Sequence, residues 1–328
     1  MKLLKIGLFI IFIVFFIIIF RLWFFANKSL EISVFKAIFT KGDLRIVDDS
    51  TNFLILGMPG STYDGPELSD SIIFLNYNFK KNRAVLFGIP RDIWSNSLQD
   101  KINTAYVYGE VVKDGGGLIL SKAEVGSIVG IPIQYGLVVD FDDFKKIIDY
   151  FGGIKVEVER SFKDERFPVK GKENDDCEGD KSYACRYETV RFDEGVNEMD
   201  GESALKFIRS RNSIGAEGND FARIIRQQLV AKSIKDEALA NVSIFNLNKT
   251  KDFYNIVNSL VERDISNQQV TAILKNILLR GNFVIINKTI PSSLFFTPEF
   301  SSYDGRYVLT PKNNTYENIH KYIKESLK

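Results

Sequence analysis

The sequence predicts an α/β protein with a mixed central sheet and helices on both faces, an αβα sandwich, preceded by one N-terminal transmembrane helix. Three observations support this prediction: short runs of apolar, β-branched residues, amphipathic segments between them, and one charge-free apolar run near the N-terminus. Strands with few polar residues are typical of a sheet that is covered on both faces. Alternating strands and helices are typical of the α/β class.

The apolar run near the N-terminus predicts a membrane anchor. Residues 6–20 carry no charge, and the apolar character resumes after Arg21 and continues to Ala26. About 20 apolar residues are needed to cross the core of a bilayer, so we expect residues 6–26 to span it. A cleaved signal peptide is the alternative. The run is longer than the roughly 7–15 apolar residues of a signal peptide and lacks its A-x-A-like end.

The lysines before this run predict the orientation of the chain. Lys2 and Lys5 precede the span, and positive residues are retained on the cytoplasmic side. Residues 1–5 are therefore expected to form a cytoplasmic tip, with the remainder outside the cell membrane. We interpret residues 27–50 as a membrane-proximal linker.

The periodicity of the remaining chain predicts its strands and helices. The predicted strands span 52–57, 71–78, 84–89, 135–140, 154–159 and 283–289. The predicted helices span 103–113, 121–129, 141–151, 201–209 and 219–240. Residues 160–190 are predicted to form one long polar loop.

The charge balance excludes a protein that binds nucleic acid through its overall field. The chain has 43 basic and 42 acidic residues and a formal net charge of +1, whereas nucleic-acid-binding domains typically have a pI above about 9. Any anion site must therefore be built from a local cluster of arginines.

The two cysteines, Cys177 and Cys185, lie in the predicted polar loop. A local disulfide is expected if this part of the chain is outside the cytoplasm, and two free thiols are the alternative. A zinc site would need more ligands, and the single histidine, His320, is far away in sequence.

Charged residues cluster where predicted strands and helices end. Arg91 and Asp92 directly follow the third predicted strand, and Asp70 directly precedes the second. Guanidinium groups bind phosphate oxygens in a bidentate manner, so converging arginines would hold a polyphosphate. The other charged or amide side chains that could join them are Arg209, Arg211, Asp220, Arg223 and Gln227.

Seven sequence blocks occur in an order and spacing that resemble one family. They are NFLILG, LSDS, GIPRD, KINTAY, DYFGGIKVEV, MDGESALKFIRSR and DFARIIRQQ, from about Asn52 to Leu239. This combination resembles the LytR-CpsA-Psr family. The resemblance implies a catalytic domain over residues 51–240, with residues 241–328 completing the fold.

The resemblance also implies a function. Members of the family move a glycan-1-phosphate from a polyprenyl-pyrophosphate-linked precursor to a hydroxyl of peptidoglycan, with the polyprenyl chain in an apolar pocket and Mg²⁺ at its mouth. No nucleic acid takes part. A non-catalytic protein that binds polyprenyl phosphate or glycan is one alternative, and a polyprenyl-pyrophosphate hydrolase is another. A transcriptional attenuator is disfavoured because the predicted topology separates the globular part from DNA.

The resemblance assigns roles to the residues of these blocks. Asp70 would bind the metal ion, and Asp64 would be a second ligand because Pro59 stands where many members have an aspartate. Asp92 and Asp220 would be catalytic together with Arg91, orienting an arginine or accepting a proton. The pyrophosphate would be held by Arg91, Arg209, Arg211, Arg223 and Gln227.

Overall fold

The structure is a computed structural model that describes residues 20–21, 23–28, 43–60, 68–172, 174–241 and 247–328. Most of the predicted anchor and linker lies outside these residues, and so does Asp64. None of the helices in the described ranges has the length and apolar content needed to cross a bilayer.

The described residues form both strands and α-helices. The strands are β1 (Ser50–Met58), β2 (Ser71–Asn78), β3 (Arg83–Gly88), β4 (Trp94–Ser95), β5 (Asp100–Lys101), β6 (Tyr135–Asp140), β7 (Ile154–Val158), β8 (Phe162–Pro168), β9 (Tyr187–Phe192), β10 (Gly195–Met199), β11 (Val261–Arg263), β12 (Val284–Thr289), β13 (Phe295–Phe296) and β14 (Thr310–Pro311). The helices are α1 (Ala105–Val112), α2 (Gly117–Val129), α3 (Phe141–Tyr150), α4 (Gly201–Arg209), α5 (Asp220–Asn241), α6 (Leu247–Leu260), α7 (Asn267–Arg280) and α8 (Glu317–Leu327).

Six strands form one mixed sheet in the order β11-β6-β1-β2-β3-β12. β1 runs parallel to β6 and antiparallel to β2, while β3 runs antiparallel to β2 and parallel to β12. The carboxyl ends of β1, β3, β6 and β12 therefore share one edge of the sheet, at which the amino end of β2 also lies. The residues that follow these four strands therefore lie at the same edge of the sheet.

Both faces of the sheet are covered, as predicted. On one face Leu54, Phe74 and Phe87 are buried together with apolar residues of α2 and α8. On the other face Phe53, Ile73 and Leu86 form a second cluster, against which α7 packs. Successive strand residues point to opposite faces, which is why the apolar runs have almost no polar interruptions.

The prediction of one polar loop over residues 160–190 is wrong. β8 and β9 form an antiparallel pair within and just beyond this segment, and β10 pairs with β7. Phe162 and Phe167 anchor β8 in a third core with α4 and α5. Charged residues separate the two phenylalanines, and the strand pairing is irregular between Asp164 and Phe167. The apolar residues therefore do not alternate with a period of two, which is the pattern that predicts a strand.

The two cysteines lie in the connection that remains between β8 and β9. Cys177 and Cys185 form a disulfide whose Cα atoms are 5.6 Å apart. Asp175 lies beside them, but sulfur atoms that are joined to each other do not provide the thiolates that a metal ion binds.

Candidate functional site

A cavity of about 300 Å³ lies between the sheet and helices α3, α4 and α5. Its deeper walls are apolar and come from strands on one side and helices on the other. The apolar lining residues are Ile55, Leu56, Ile73, Leu86, Val139, Phe141, Phe144, Ile147, Phe167, Pro168, Ile208, Val230, Ala231 and Ile234. Such a cavity suits a hydrocarbon chain because burial removes its surface from water.

The polar residues that line the same cavity come from one edge of the sheet and from the helical side. Asp70 directly precedes β2, Ser71 begins it, Arg91 follows β3, and Gly57 lies near the end of β1. The helical side contributes Arg209, Arg211, Arg223 and Gln227. Every residue predicted to hold a pyrophosphate therefore lines one cavity. We call these residues, together with Asp70 and Ser71, the arginine mouth.

Arg91 interacts with two carboxylates at its edge of the sheet, those of Asp70 and Asp92. Its guanidinium forms an ion pair with Asp70, and its Nε lies 3.7 Å from Oδ2 of Asp92. Burial lowers the pKa of Arg91, but the negative charges of Asp70, Asp92 and Asp220 outweigh burial and raise it above its ordinary value. Arg91 is thus held as a cation at the mouth.

Arg223 is a buried cation with unused hydrogen-bonding capacity. Only 5% of its surface is exposed, and its one ion pair with a described residue, Asp220, has a separation of 3.3 Å. The Nε atoms of Arg223 and Arg91 are buried and have no hydrogen-bond partner among the described residues. Unsatisfied buried donors are costly, so both guanidinium groups are suited to receive anionic oxygens.

Gln227 is oriented by the first residue of β2. The hydroxyl of Ser71 donates a hydrogen bond of 3.0 Å to Oε1 of Gln227. This bond uses the amide oxygen, so the amide nitrogen is the group available to an anion. Ser71 was not predicted as a site residue, although it belongs to the quoted LSDS block.

The remaining two arginines are held in different ways. Arg209 lies over the rings of Phe141 and Phe167, with its guanidinium carbon 4.6 and 5.6 Å from the ring centroids. The side chain of Arg211 is exposed, but its backbone N–H donates to Asp164 Oδ2 at 3.0 Å. Ring stacking fixes one guanidinium, and the buried carboxylate fixes the backbone of the other.

Asp164 was missed by sequence analysis because it is one acidic residue in a strongly charged segment. It is completely buried and accepts hydrogen bonds from the backbone N–H groups of Arg166, Arg211 and Asn212 at 3.0, 3.0 and 3.1 Å. It thereby connects β8 to the segment that carries Arg211.

Asp92 and Asp220 form a carboxyl pair behind Arg91. Burial raises the pKa of Asp92, but hydrogen bonds from Lys101 and Asp220 and the charges of Arg91 and Lys101 bring it below the ordinary value. Burial raises the pKa of Asp220, Arg223 opposes this, and the hydrogen bond and charge of Asp92 leave it raised. The two carboxyl groups therefore titrate as an interacting pair, in which the pKa of Asp220 is the higher one.

Asp70 is the single carboxylate among the described residues that line the cavity. Mg²⁺ in phosphate sites is commonly held by one or two carboxylates together with phosphate oxygens. The donor set therefore fits a magnesium ion that is completed by a bound phosphate. Asp70 contacts Arg91 and lines the cavity, so its carboxyl group faces the mouth.

A search against protein families matches residues 27–325 to the LytR_cpsA_psr family. A curated relative from Bacillus licheniformis, the polyisoprenyl-teichoic acid–peptidoglycan teichoic acid transferase TagU, is 24% identical over 67% of this chain and 62% of its own length. The protein of the same name from Oceanobacillus iheyensis is 27% identical over 70% of this chain and 63% of its own length. The chain thus spans less than two thirds of the length of these relatives.

The solved structure of TagT bound to LI-WTA has a similar fold. It is 20% identical in sequence, has a TM-score of 0.57, and covers 87% of this chain and 95% of that chain. At this identity the likeness concerns the fold, and the α/β architecture described above agrees with it.

Proposed function

Because this chain belongs to the LytR-CpsA-Psr family, we propose that it is a phosphotransferase of the cell envelope. It moves a glycan-1-phosphate from a polyprenyl-pyrophosphate lipid to a hydroxyl group of peptidoglycan. The curated relatives are named as transferases of teichoic acid to peptidoglycan, so a teichoic-acid-like polymer is the class of glycan that we propose.

One observation supports this proposal most strongly: the apolar cavity and the arginine mouth are continuous. A polyprenyl pyrophosphate has the same division, with a hydrocarbon chain on one side of two phosphates. The hydrocarbon would fill the space between β1, β2 and α5, and the phosphates would contact Arg91 and Arg223. A soluble anion would need only the mouth, and a neutral lipid would need only the cavity.

The transfer exchanges one phosphorus–oxygen bond for another. The acceptor oxygen bonds to the phosphorus that carries the glycan, and the bond from that phosphorus to the lipid phosphate breaks. Polyprenyl phosphate leaves with its chain still in the cavity. Arg91 and Arg223 hold the oxygens on which charge accumulates, and preorganised donors of this kind lower the barrier without reorganisation.

The proton of the acceptor hydroxyl needs a base, and we assign Asp220 to this role. Its side chain is 21% exposed, whereas that of Asp92 is 7% exposed. Asp220 can therefore meet an acceptor that enters from outside. Its raised pKa makes its ionised form a stronger base than an ordinary aspartate. Asp92 interacts with Asp220, and Lys101 pairs with Asp92 at 2.7 Å.

Magnesium is part of the proposal. Asp70 would hold the ion, with Asp64 as a further candidate ligand outside the described residues. When bound, Mg²⁺ would neutralise charge on the phosphate oxygens and on the leaving phosphate. Asp70 would then exchange its contact with Arg91 for one with the ion, which would free Arg91 for the phosphates.

We also propose that the chain is a single-pass protein of the cell membrane. Residues 6–26 would span the bilayer, with the N-terminus in the cytoplasm and the catalytic part outside. The uncharged run after Lys2 and Lys5 supports this orientation. The lipid donor and the wall acceptor would then both be accessible to the arginine mouth.

The first test is to purify the full chain in detergent, extract the lipid that co-purifies, and identify it by mass spectrometry. We expect polyprenyl phosphate or pyrophosphate, and Mg²⁺-dependent transfer of a labelled glycan phosphate from a synthetic donor to wall fragments. Release of the glycan phosphate into water would instead identify a hydrolase. Donor binding without turnover would identify a binding protein, and failure to bind the donor would overturn the proposal.

A further inference from the structure

Exposed aromatic side chains are concentrated on one surface beside the arginine mouth. Within residues 43–60, 68–172, 174–241 and 247–328, five aromatic side chains are largely exposed: Tyr108, Tyr183, Phe296, Phe300 and Tyr307. Only Tyr183 lies elsewhere, in the disulfide loop. The other four belong to segments that are linked to Trp94 through Asp100, Tyr303 and Leu309. We call the surface that these four side chains and Trp94 form the aromatic rim.

Backbone pairing joins the aromatic rim to the carboxyl pair of the site. The N–H of Leu309 donates to the carbonyl of Asp92 at 2.8 Å, and the N–H of Trp94 donates to the carbonyl of Leu309 at 2.9 Å. Tyr307 is two residues from Leu309. Phe296 lies opposite Thr310 in the β13–β14 pair. The backbone of the rim is therefore hydrogen-bonded directly to the backbone of Asp92.

The centre of the rim is ordered by contacts that combine rings and charges. The rings of Trp94 and Tyr303 are 4.7 Å apart, and the guanidinium of Arg306 lies 5.3 Å from the Trp94 ring. Arg306 also pairs with Asp100 at 2.7 Å, and the hydroxyl of Tyr108 donates to Asp100 at 2.7 Å. Apolar ring faces and polar groups are thus presented side by side.

This chemistry matches a glycan better than a lipid bilayer. A sugar ring has an apolar C–H face that can lie on an aromatic ring and equatorial hydroxyls that bond to charged groups at its edge. The rim lies at the carboxyl end of β3. Asp43, the first residue that the structure describes after residue 28, lies near the opposite end of β1.

We propose that the aromatic rim is the acceptor subsite and binds a glycan strand of peptidoglycan. This inference rests on the proposed function. The leaving lipid phosphate belongs to the apolar cavity, so the acceptor must approach from outside the mouth. It must also reach the base, Asp220, whose partner Asp92 is continuous with the rim. The backbone of Leu309 connects the rim to this carboxyl pair, so an acceptor that is bound at the rim would lie near the base.

The test is to replace Tyr307, Phe300 or Phe296 by alanine in the full chain. The matched control is Tyr183→Ala, because Tyr183 and Tyr307 are 44% and 43% exposed. We expect each rim variant to raise the KM for soluble peptidoglycan fragments by about fivefold to tenfold, which is typical for an interface anchor. The kcat and the KM for the lipid donor should remain near the wild-type values, as should all parameters of Tyr183→Ala.

Binding to insoluble wall sacculi, measured by co-sedimentation without donor, separates this inference from the proposed function. Weaker sacculus binding by the rim variants supports the subsite even if no transfer is found. Wild-type transfer with unchanged acceptor KM in all three variants overturns the subsite and leaves the transferase intact. An effect on donor KM alone would assign the rim to the donor glycan, and retention on vesicles instead of sacculi would assign it to the bilayer. Either result rejects the proposal.

Discussion

Two arginines on one helix show how position decides the role of a side chain. Arg223 and Arg226 are three residues apart on α5, and both are almost fully buried. Arg223 faces the cavity with an unpaired Nε. Arg226 points away from the mouth and donates to the carbonyls of Phe207 and Ser210 and to the Glu217 carboxylate. The first can receive a ligand, whereas the second holds the chain that surrounds the site.

This difference predicts that replacement by alanine lowers activity at Arg223 and stability at Arg226. Arg223→Ala should lower the rate of transfer by about 10²–10³-fold because a preorganised donor is lost, with little change in the thermal midpoint. Arg226→Ala should lower the free energy of unfolding by about 3 kcal/mol because buried carbonyls lose their donor. Transfer rates and thermal unfolding of both variants check this. Near-wild-type transfer by Arg223→Ala would contradict the role of Arg223.

The carboxyl pair predicts an acid limb in the pH profile. The pKa of Asp220 is raised, so its carboxyl group loses the proton at a higher pH than an ordinary aspartate. If the ionised form is the base, the rate rises with pH through this raised pKa and then reaches a plateau. Asp220→Asn should give a slow rate without this rise, measured as kcat against pH. An unchanged acid limb in that variant would assign it to another group.

At the scale of elements, the β8–β9 pair forms one wall of the site. β8 supplies Phe167 to the cavity and Asp164 to the backbone of the segment after α4. A strand pair that appears peripheral along the chain thus determines where Arg209 and Arg211 lie. The site depends on this hairpin as well as on the central sheet.

Asp164→Ala tests this dependence. The variant removes a buried acceptor that is shared by three backbone N–H groups, so we expect the free energy of unfolding to fall by about 1–3 kcal/mol. We also expect the KM for the lipid donor to rise more than kcat falls, because the arginines that hold the ground-state phosphates shift. Glu165→Ala is the control, since Glu165 is exposed and, among the residues that the structure describes, forms its ion pair with Lys163 at 2.8 Å. Equal donor KM in both variants would reject the positioning role.

Local patterns predict some elements exactly and others poorly. The predicted bounds of residues 71–78, 135–140 and 201–209 are confirmed. An uninterrupted apolar run, or a clear cap such as Asp200 before α4, marks where each of these elements begins or ends. β8 and β9 were missed because their anchors are phenylalanines separated by charges. Their burial depends on α4 and α5, which are distant in sequence.

The site itself could be predicted in composition but not in geometry. Arg91, Arg209, Arg211, Arg223 and Gln227 are in recognisable blocks, and the structure brings them to one cavity. The separate role of Arg226 and the contacts of Ser71 and Asp164 require the three-dimensional arrangement. The periodicity of a sequence does not predict which face of a helix contacts a loop from another part of the chain.

At the scale of the whole molecule, the C-terminal third is part of the same sheet and core. β11 and β12 are the two edge strands, and α8 packs on the face that is formed by β1, β2 and β3. Ile319 and Ile323 of α8 are almost completely buried there. Loss of α8 would therefore expose the centre of the protein.

Ile323→Ala should accordingly destabilise the whole chain. We expect a decrease of about 2–4 kcal/mol in the free energy of unfolding, as is typical for removal of a buried isoleucine side chain, in one cooperative transition. Leu279→Ala is the matched control because Leu279 is 76% exposed. Denaturant unfolding followed by circular dichroism measures both. A separate early transition in Ile323→Ala would show that α8 unfolds alone.

The position of β12 also constrains the time at which the protein can fold. β12 completes the sheet beside β3, and Asn82 just before β3 donates to the carbonyl of Gly281, 199 residues later. A sheet edge closed by so distant a segment forms slowly, because loop closure precedes the contacts that stabilise it. A nascent chain that emerges N-terminus first therefore exposes the β3 edge until nearly all of it has been synthesised. The export that follows from the proposed topology would be compatible with threading, because the last edge strand is among the last segments to be synthesised.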